Sequence, residues 1–359
     1  CVAVFEQNNT GDVPAIDIKR VLHVSHGATI CEYTEGTWEA DQSHVLGTVT
    51  RTRVHQVAGV GSSQRHGPTI HWLRVPASRA QGPIWARAVL QQTFFQPNPC
   101  DFACQIDAHT VFEPGWDTTC IEQWQLCGND RAVLTCYPND YHLDTRTTSP
   151  HLLPTFLTLR GFHRKCGFVE MDRARFVHWP QKPLPSLFWA AGFSFSAGHM
   201  ITNVPYDPHL MYMFLGEEIS MAARLFTHGY RTFAPCVNIV FHYTPRDYRP
   251  VYLEQFYVRQ GRTAVSDPAV RAVRKAKEEQ ANARVIQLLT QPSNEWPTAQ
   301  AAYGLGTQCT LEEFEQYAGI SLATRQFHVR ARQGVTDKRQ ATHTLDWMEE
   351  VYCKLGLTQ

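Results

Sequence analysis

The chain has 359 residues, enough for one large α/β domain or two smaller ones around a substantial buried core. Lys plus Arg and Asp plus Glu both number 33, and this zero formal charge excludes a chain built to grip a nucleic-acid backbone by net charge. A hydrophobic content of 43% excludes a disordered chain.

No apolar run reaches the length of a membrane span. The start, Cys1-Val2-Ala3-Val4-Phe5-Glu6, lacks the basic leader and long apolar stretch of a signal peptide. Localisation is open between the cytoplasm and the Golgi lumen. The 11 cysteines are scattered and none forms a Cys-x-x-Cys pair, which argues against a zinc ribbon or a thioredoxin-type site. They read either as buried thiols in a reducing compartment or as a few disulfides in a secretory one. Asn8-Asn9-Thr10 is a single glycosylation sequon.

In chain order, Val2, Ala3, Val4 and Phe5 read as a short buried strand, and residues 21–24 as another. Residues 35–68, rich in Gly, Ser, Thr, His and Gln, read as an irregular insert with a hairpin at 45–54. Gly59-Val60-Gly61 is too short for a dinucleotide fingerprint. Residues 71–75 read as a strand, and Gly82-Pro83 opens a helix over 84–94. Residues 101–106 form an apolar strand ending in Asp107-Ala108-His109, and 131–136 another strand. The proline-punctuated stretch 138–185 reads as loops. Residues 189–196 read as a strand. Residues 216–229 carry a helix signature, with Glu217 and Glu218 in the first turn and His228-Gly229 at the close. Residues 233–242 read as a strand and 269–289 as a charged amphipathic helix, with a helical and looped tail. This alternation predicts an α/β fold on a mainly parallel central sheet, with no internal repeat.

Asp107-Ala108-His109 carries the chemistry. In a strand, residues i and i+2 point the same way. At a strand's end both reach the crevice where α/β sheets bind ligands. A carboxylate and an imidazole suit Mn²⁺, which would bridge the diphosphate of a nucleotide sugar and neutralise the leaving group. Asp-x-His also recurs by chance as a turn aspartate and a surface histidine. Zinc is the rival ion, but its usual paired ligand spacing is missing. Glu217 and Glu218 read either as acids complementing the helix dipole or as an acidic group in a sugar pocket. His242, closing a strand, is a candidate third ligand.

Cys104-Gln105-Ile106-Asp107-Ala108-His109, with Phe112 and Gly115-Trp116-Asp117, resembles the metal-binding segment of the polypeptide N-acetylglucosaminyltransferases. So do Gly192-Phe193-Ser194-Phe195-Ser196, Val204-Pro205-Tyr206-Asp207-Pro208, and Phe214-Leu215-Gly216-Glu217-Glu218-Ile219 running on to Leu225. Gly82-Pro83-Ile84-Trp85-Ala86-Arg87, Tyr303-Gly304-Leu305-Gly306, Leu311-Glu312-Glu313-Phe314 and Gly319-Ile320 extend the resemblance over almost the whole chain.

This resemblance implies a GT-A-type nucleotide-sugar-binding domain over residues 1–260 and a helical C-terminal extension over 261–359. It implies Mn²⁺ held by Asp107, His109 and His242. Glu217 and Glu218 are then the catalytic candidates, and Arg87, Gly192, Trp189 and Asp117 the substrate-binding ones. The implied reaction moves N-acetylglucosamine from UDP-GlcNAc to a Ser, Thr or hydroxyproline hydroxyl of an acceptor protein, with retention and no dedicated general base. Ala108 replaces an expected serine, and a first strand expected before Val2 is absent from the sequence. Two other readings compete. One is a catalytically inactive glycosyltransferase-like structural or assembly protein in a larger complex; the other is a hydrolase on the same metal site.

Overall fold

The computed structural model describes residues 2–6, 29–41, 44–56, 65–74, 80–96, 100–108, 110–142, 148–244, 268–290 and 298–336. The chain divides into two units, Cys1–Asn98 with Tyr206–Tyr212, and Pro99–Pro205 with Met213–Gln359. The boundary expected at residue 260 lies outside the described residues, as do the strand at 21–24, the sequon at Asn8 and Gly59-Val60-Gly61.

In the first unit, strands β1 (Val2–Glu6), β2 (Thr29–Asp41), β3 (His44–Gln56) and β4 (Arg65–Arg74) form a sheet in the order β1-β4-β3-β2. β1 lies parallel to β4, with Val2 opposite Ile70, and the other two pairings are antiparallel. This corrects the expected irregular insert at 35–68. The Thr and Val residues there suit strands in an antiparallel ladder, and the expected hairpin at 45–54 is part of a longer one. Helix α1 (Pro83–Leu90) starts after Gly82, whose φ of 97° is open to glycine, and has Pro83 at its first position. It buries Ile84, Trp85, Ala88 and Val89, then runs into a π-helical turn, Gln91–Phe95. The Tyr206 amide donates to Gln91 Oε1 at 2.8 Å, which ties the returning segment to that turn.

The second unit is built on β5 (Phe102–Ile106), β7 (Ala132–Thr135), β11 (Leu184–Pro185), β12 (Phe193–Ala197) and β13 (Arg231–Ala234), ordered β11-β13-β7-β12-β5. Only β13 and β7 run parallel; β12 is antiparallel to both β5 and β7, and β11 to β13. The α/β class is as expected, but the mainly parallel central sheet is not found in these pairings. The segment between β7 and β12 differs from the expectation. Residues 138–185, read as loops, hold β8 (Asn139–Asp140) and a hairpin of β9 (Thr155–Phe162) and β10 (Val169–Arg175). The prolines sit outside these strands, where a missing donor costs nothing.

Helix α2 (Trp116–Leu126) covers one face of this sheet. Its Cys120 joins Ala132, Leu134, Phe193, Phe195 and Phe233 in a buried core, with Trp116 and Trp124 packed at its margin. A short helix α3 (His199–Asn203) follows β12. Helix α4 (Glu217–Thr227) is buried along nearly all its length. The expected strand over 233–242 is two strands: β13 ends at Ala234, and β14 (Val240–His242) belongs to a separate three-stranded sheet with β6 (Thr110–Phe112) and β8.

Downstream, α5 (Pro268–Thr290) matches the expected charged helix and turns Ala281, Val285, Leu288 and Leu289 inward. Tyr303-Gly304-Leu305-Gly306 packs on the end of α4. Gly306 N donates to Thr227 Oγ1 at 2.9 Å, and a Cβ on Gly306 would lie 2.5 Å from the 227–228 backbone. Helix α6 (Leu311–Ala318) begins in a Thr310–Glu313 capping box. Among the described residues, eight cysteines are free thiols, and burial pushes Cys104 and Cys136 up to about 12. No described helix is long and apolar enough to cross a membrane.

Candidate functional site

The site starts where β5 stops. Ile106 pairs with Phe193 on β12, so the next residue, Asp107, falls beside Gly192. The Asp107 amide donates to the Gly192 carbonyl at 3.1 Å. The Asp107 carboxylate then lies over the Gly192 Cα, where a Cβ would sit 3.2 Å from Oδ2. β6 begins at Thr110, shortly beyond Asp107, and Thr110 pairs with His242 at the end of β14. This pairing brings the imidazole to the end of β5: His242 Nε2 lies 3.7 Å from Asp107 Oδ2, with side-chain exposures of 14% and 30%. A carboxylate oxygen and an imidazole nitrogen, partly shielded yet reachable, are the donor types that suit Mn²⁺. His109, the remaining ligand implied by the resemblance, lies outside the described residues. Among the described residues no three His, Cys, Asp or Glu side chains converge as a metal cage.

The turn at 189–192, just before β12, is pinned from several sides. The Ala190 amide donates to Thr135 Oγ1 at 2.9 Å, and Gln105 Nε2 donates to the Ala191 carbonyl at 2.8 Å. Trp189 is 1% exposed and donates its indole N–H to Ser194 Oγ at 3.0 Å. It therefore shapes the turn from the core side. The Ala191 amide donates to Glu218 Oε1 at 3.0 Å.

The acidic pair stands at the start of α4, after Gly216 with φ 99°. Glu217 is 5% exposed. Glu218 takes the Ala191 amide on one oxygen and the Tyr137 hydroxyl on the other. Burial pushes the Glu218 carboxyl up to about 7; the hydrogen bonds from Tyr137 and Ala191 oppose this, while the charges of Glu217 and Asp107 add to it. Burial also raises the Tyr137 hydroxyl well above its ordinary value, reinforced by Glu218, Asp107 and Glu217. Asp107, Tyr137, Glu217 and Glu218 thus form one electrostatic cluster.

Two further expected residues are on helices α2 and α1. Asp117 is exposed in the first turn of α2, where its charge helps raise the Cys120 thiol that burial already raises. Arg87 is in the last turn of α1, in the first unit.

Sequence reasoning passed over Tyr137 and Asp140. Asp140 pairs with His242 in the β8–β14 register and is bound by Arg173 and Thr244. Burial works to raise the Asp140 carboxyl, and the hydrogen bonds from Arg173 and Thr244 outweigh it and hold it lowered. The available signal was positional: both residues follow the buried strand β7, at the same edge where Asp107 follows β5.

No curated protein matches this chain in sequence. The crystal structure of GalNAc-T7 with UDP, GalNAc and Mn²⁺ is similar over 69% of this chain, at 13% identity and a TM-score of 0.38. The chain spans 42% of the length of that structure's chain. The described residues of this chain form a mixed α/β architecture. The model of the family described as Glycosyltransferase (GlcNAc) matches residues 1–324, and the chain therefore belongs to this family of GlcNAc glycosyltransferases.

Proposed function

We propose that the chain transfers N-acetylglucosamine from UDP-GlcNAc to a Ser, Thr or hydroxyproline hydroxyl of a protein, with retention of configuration and dependence on Mn²⁺. The observation that carries this reading is the Asp107–His242 pair, held 3.7 Å apart at the ends of β5 and β14. Family membership supports glycosyl transfer as the reaction class and N-acetylglucosamine as the sugar.

Asp107 and His242, with His109, would hold the ion; when bound, Mn²⁺ neutralises charge on the leaving diphosphate. Gly192 leaves room for the sugar to approach the backbone, since it carries no side chain beside the Asp107 carboxylate. Glu217, buried and close enough to influence Glu218, supplies the acidic group of the sugar pocket. Trp189 supports this pocket through the turn it anchors. Arg87 and Asp117 enter as donor-binding residues through the motif resemblance of their segments.

The test is calorimetric titration of UDP into the full-length polypeptide, with and without Mn²⁺, repeated on Asp107→Asn and His242→Gln. Binding that requires Mn²⁺ and is lost in both variants is the expected result. No UDP binding in either condition would overturn the reading.

A further inference from the structure

The two oxygens of Glu218 are both engaged. One accepts the Ala191 amide at 3.0 Å, and the other accepts the Tyr137 hydroxyl. Ala191 is followed by Gly192, whose carbonyl accepts the Asp107 amide at 3.1 Å and whose Cα faces the Asp107 carboxylate. The connection therefore runs from the end of β7, through the first turn of α4, into the turn at 189–192, and on to the end of β5.

We propose that Tyr137 and Glu218 are positioning residues: their hydrogen bond fixes the Ala191 amide, and through Gly192 it sets where Asp107 presents its carboxylate. The proposal rests on the reading of Asp107 and His242 as metal-holding residues. It adds Tyr137 to the site and gives Glu218 a role that involves no contact with the sugar.

Three physical arguments support it. A buried carboxylate is costly unless its oxygens are satisfied, and these two partners satisfy them. The turn lies between two sheet strands, so an error at Ala191 is passed on to Gly192 and Asp107 through backbone hydrogen bonds. A neighbour that orients a metal ligand commonly changes metal affinity by roughly 10–100-fold when removed. The turn has further anchors at Thr135 and Gln105, which places the expected effect near the lower figure.

The experiment compares parent, Tyr137→Phe, Glu218→Ala and Glu218→Gln as full-length proteins, with two readouts. The first is Mn²⁺-dependent UDP affinity by calorimetry. The second is amide hydrogen exchange of Ala191 and Asp107 in metal-free protein. Tyr137→Phe and Glu218→Ala are expected to weaken affinity about tenfold and to speed exchange at both amides, with β7 protection unchanged. Glu218→Gln is expected to restore both readouts, because its amide oxygen accepts from Ala191 and its amide nitrogen donates to Tyr137 Oη.

Exchange at Ala191 and Asp107 unchanged in Tyr137→Phe and Glu218→Ala would overturn the proposal. Sugar transfer by Glu218→Gln is followed as a further readout, and its loss with binding intact would also overturn the proposal by making Glu218 a proton-transfer group. If the parent binds no UDP with Mn²⁺, the metal-site reading falls, while the exchange data still decide whether Tyr137 and Glu218 set the position of Asp107.

Discussion

The Cα of Gly192 faces the Asp107 carboxylate so closely that a Cβ there would lie 3.2 Å from Oδ2. That is tighter than ordinary van der Waals contact, so Gly192→Ala must push the carboxylate aside by a few tenths of an ångström. Ligand geometry is sensitive to displacements of this size. Gly192→Ala is expected to weaken Mn²⁺-dependent UDP binding about three- to tenfold while leaving the melting temperature nearly unchanged. Calorimetry with a parallel melting curve checks it.

The Glu218 carboxyl sets a pH dependence whose sign follows from burial. Its folded value is about 7 against an ordinary 4.5, so between those values the folded state holds a proton that the unfolded state has released. The stabilisation is complete below about 4.5 and is lost as pH rises through about 7. Metal-free parent protein should therefore lose stability relative to Glu218→Gln between pH 5 and 7.5. Melting curves for both proteins across that range test this; parallel curves would contradict it.

Two glycines at similar φ should respond very differently to alanine. Gly334 has φ 71°, and a Cβ there would lie 1.8 Å from the Leu157 carbonyl oxygen, a contact that only backbone movement can relieve. Gly115 has φ 73° with nothing within 4 Å. Gly115→Ala should cost about 1 kcal/mol, the conformational strain alone. Gly334→Ala should cost ~3 kcal/mol or more, because strain and overlap add. Urea denaturation gives both numbers.

Arg224 is 3% exposed and donates to the carbonyls of Gly304 at 3.3 Å and Ala302 at 3.0 Å. Arg224→Met keeps the packing volume but strips both carbonyls of their donor. A loss of about 2 kcal/mol is expected, together with faster protease cleavage between residues 298 and 310. Unaltered cleavage there would show that the segment is held by its other contacts.

The strand before Asp107 and the helix after Gly216 were readable because their signals are local. Phe102, Ala103, Cys104 and Ile106 form an apolar run interrupted by Gln105 alone, and Glu217-Glu218 marks a helix start. The strands inside 35–68 and 138–185 were not. Thr, Arg, His and Gln fill much of the first, and prolines flank the strands of the second. What makes these segments strands is the ladder they form with partners, and no local window contains the partner.

The amino-acid sequence by itself determined the proposed metal-holding groups, a carboxylate at 107 and an imidazole at 242, each closing a short apolar stretch. It also determined the glycines at 192 and 306: a Cβ would crowd the Asp107 carboxylate at the first and has no room against the 227–228 backbone at the second. Only the tertiary structure decided that β12 runs antiparallel to β5 and sets Gly192 under Asp107. Only the tertiary structure decided that β14 pairs with β6, bringing His242 to that carboxylate, and that Tyr137 closes on Glu218. The reason is that strand direction and register are fixed by hydrogen bonds and burial between segments far apart in the chain, and these contacts leave no periodicity in either segment alone.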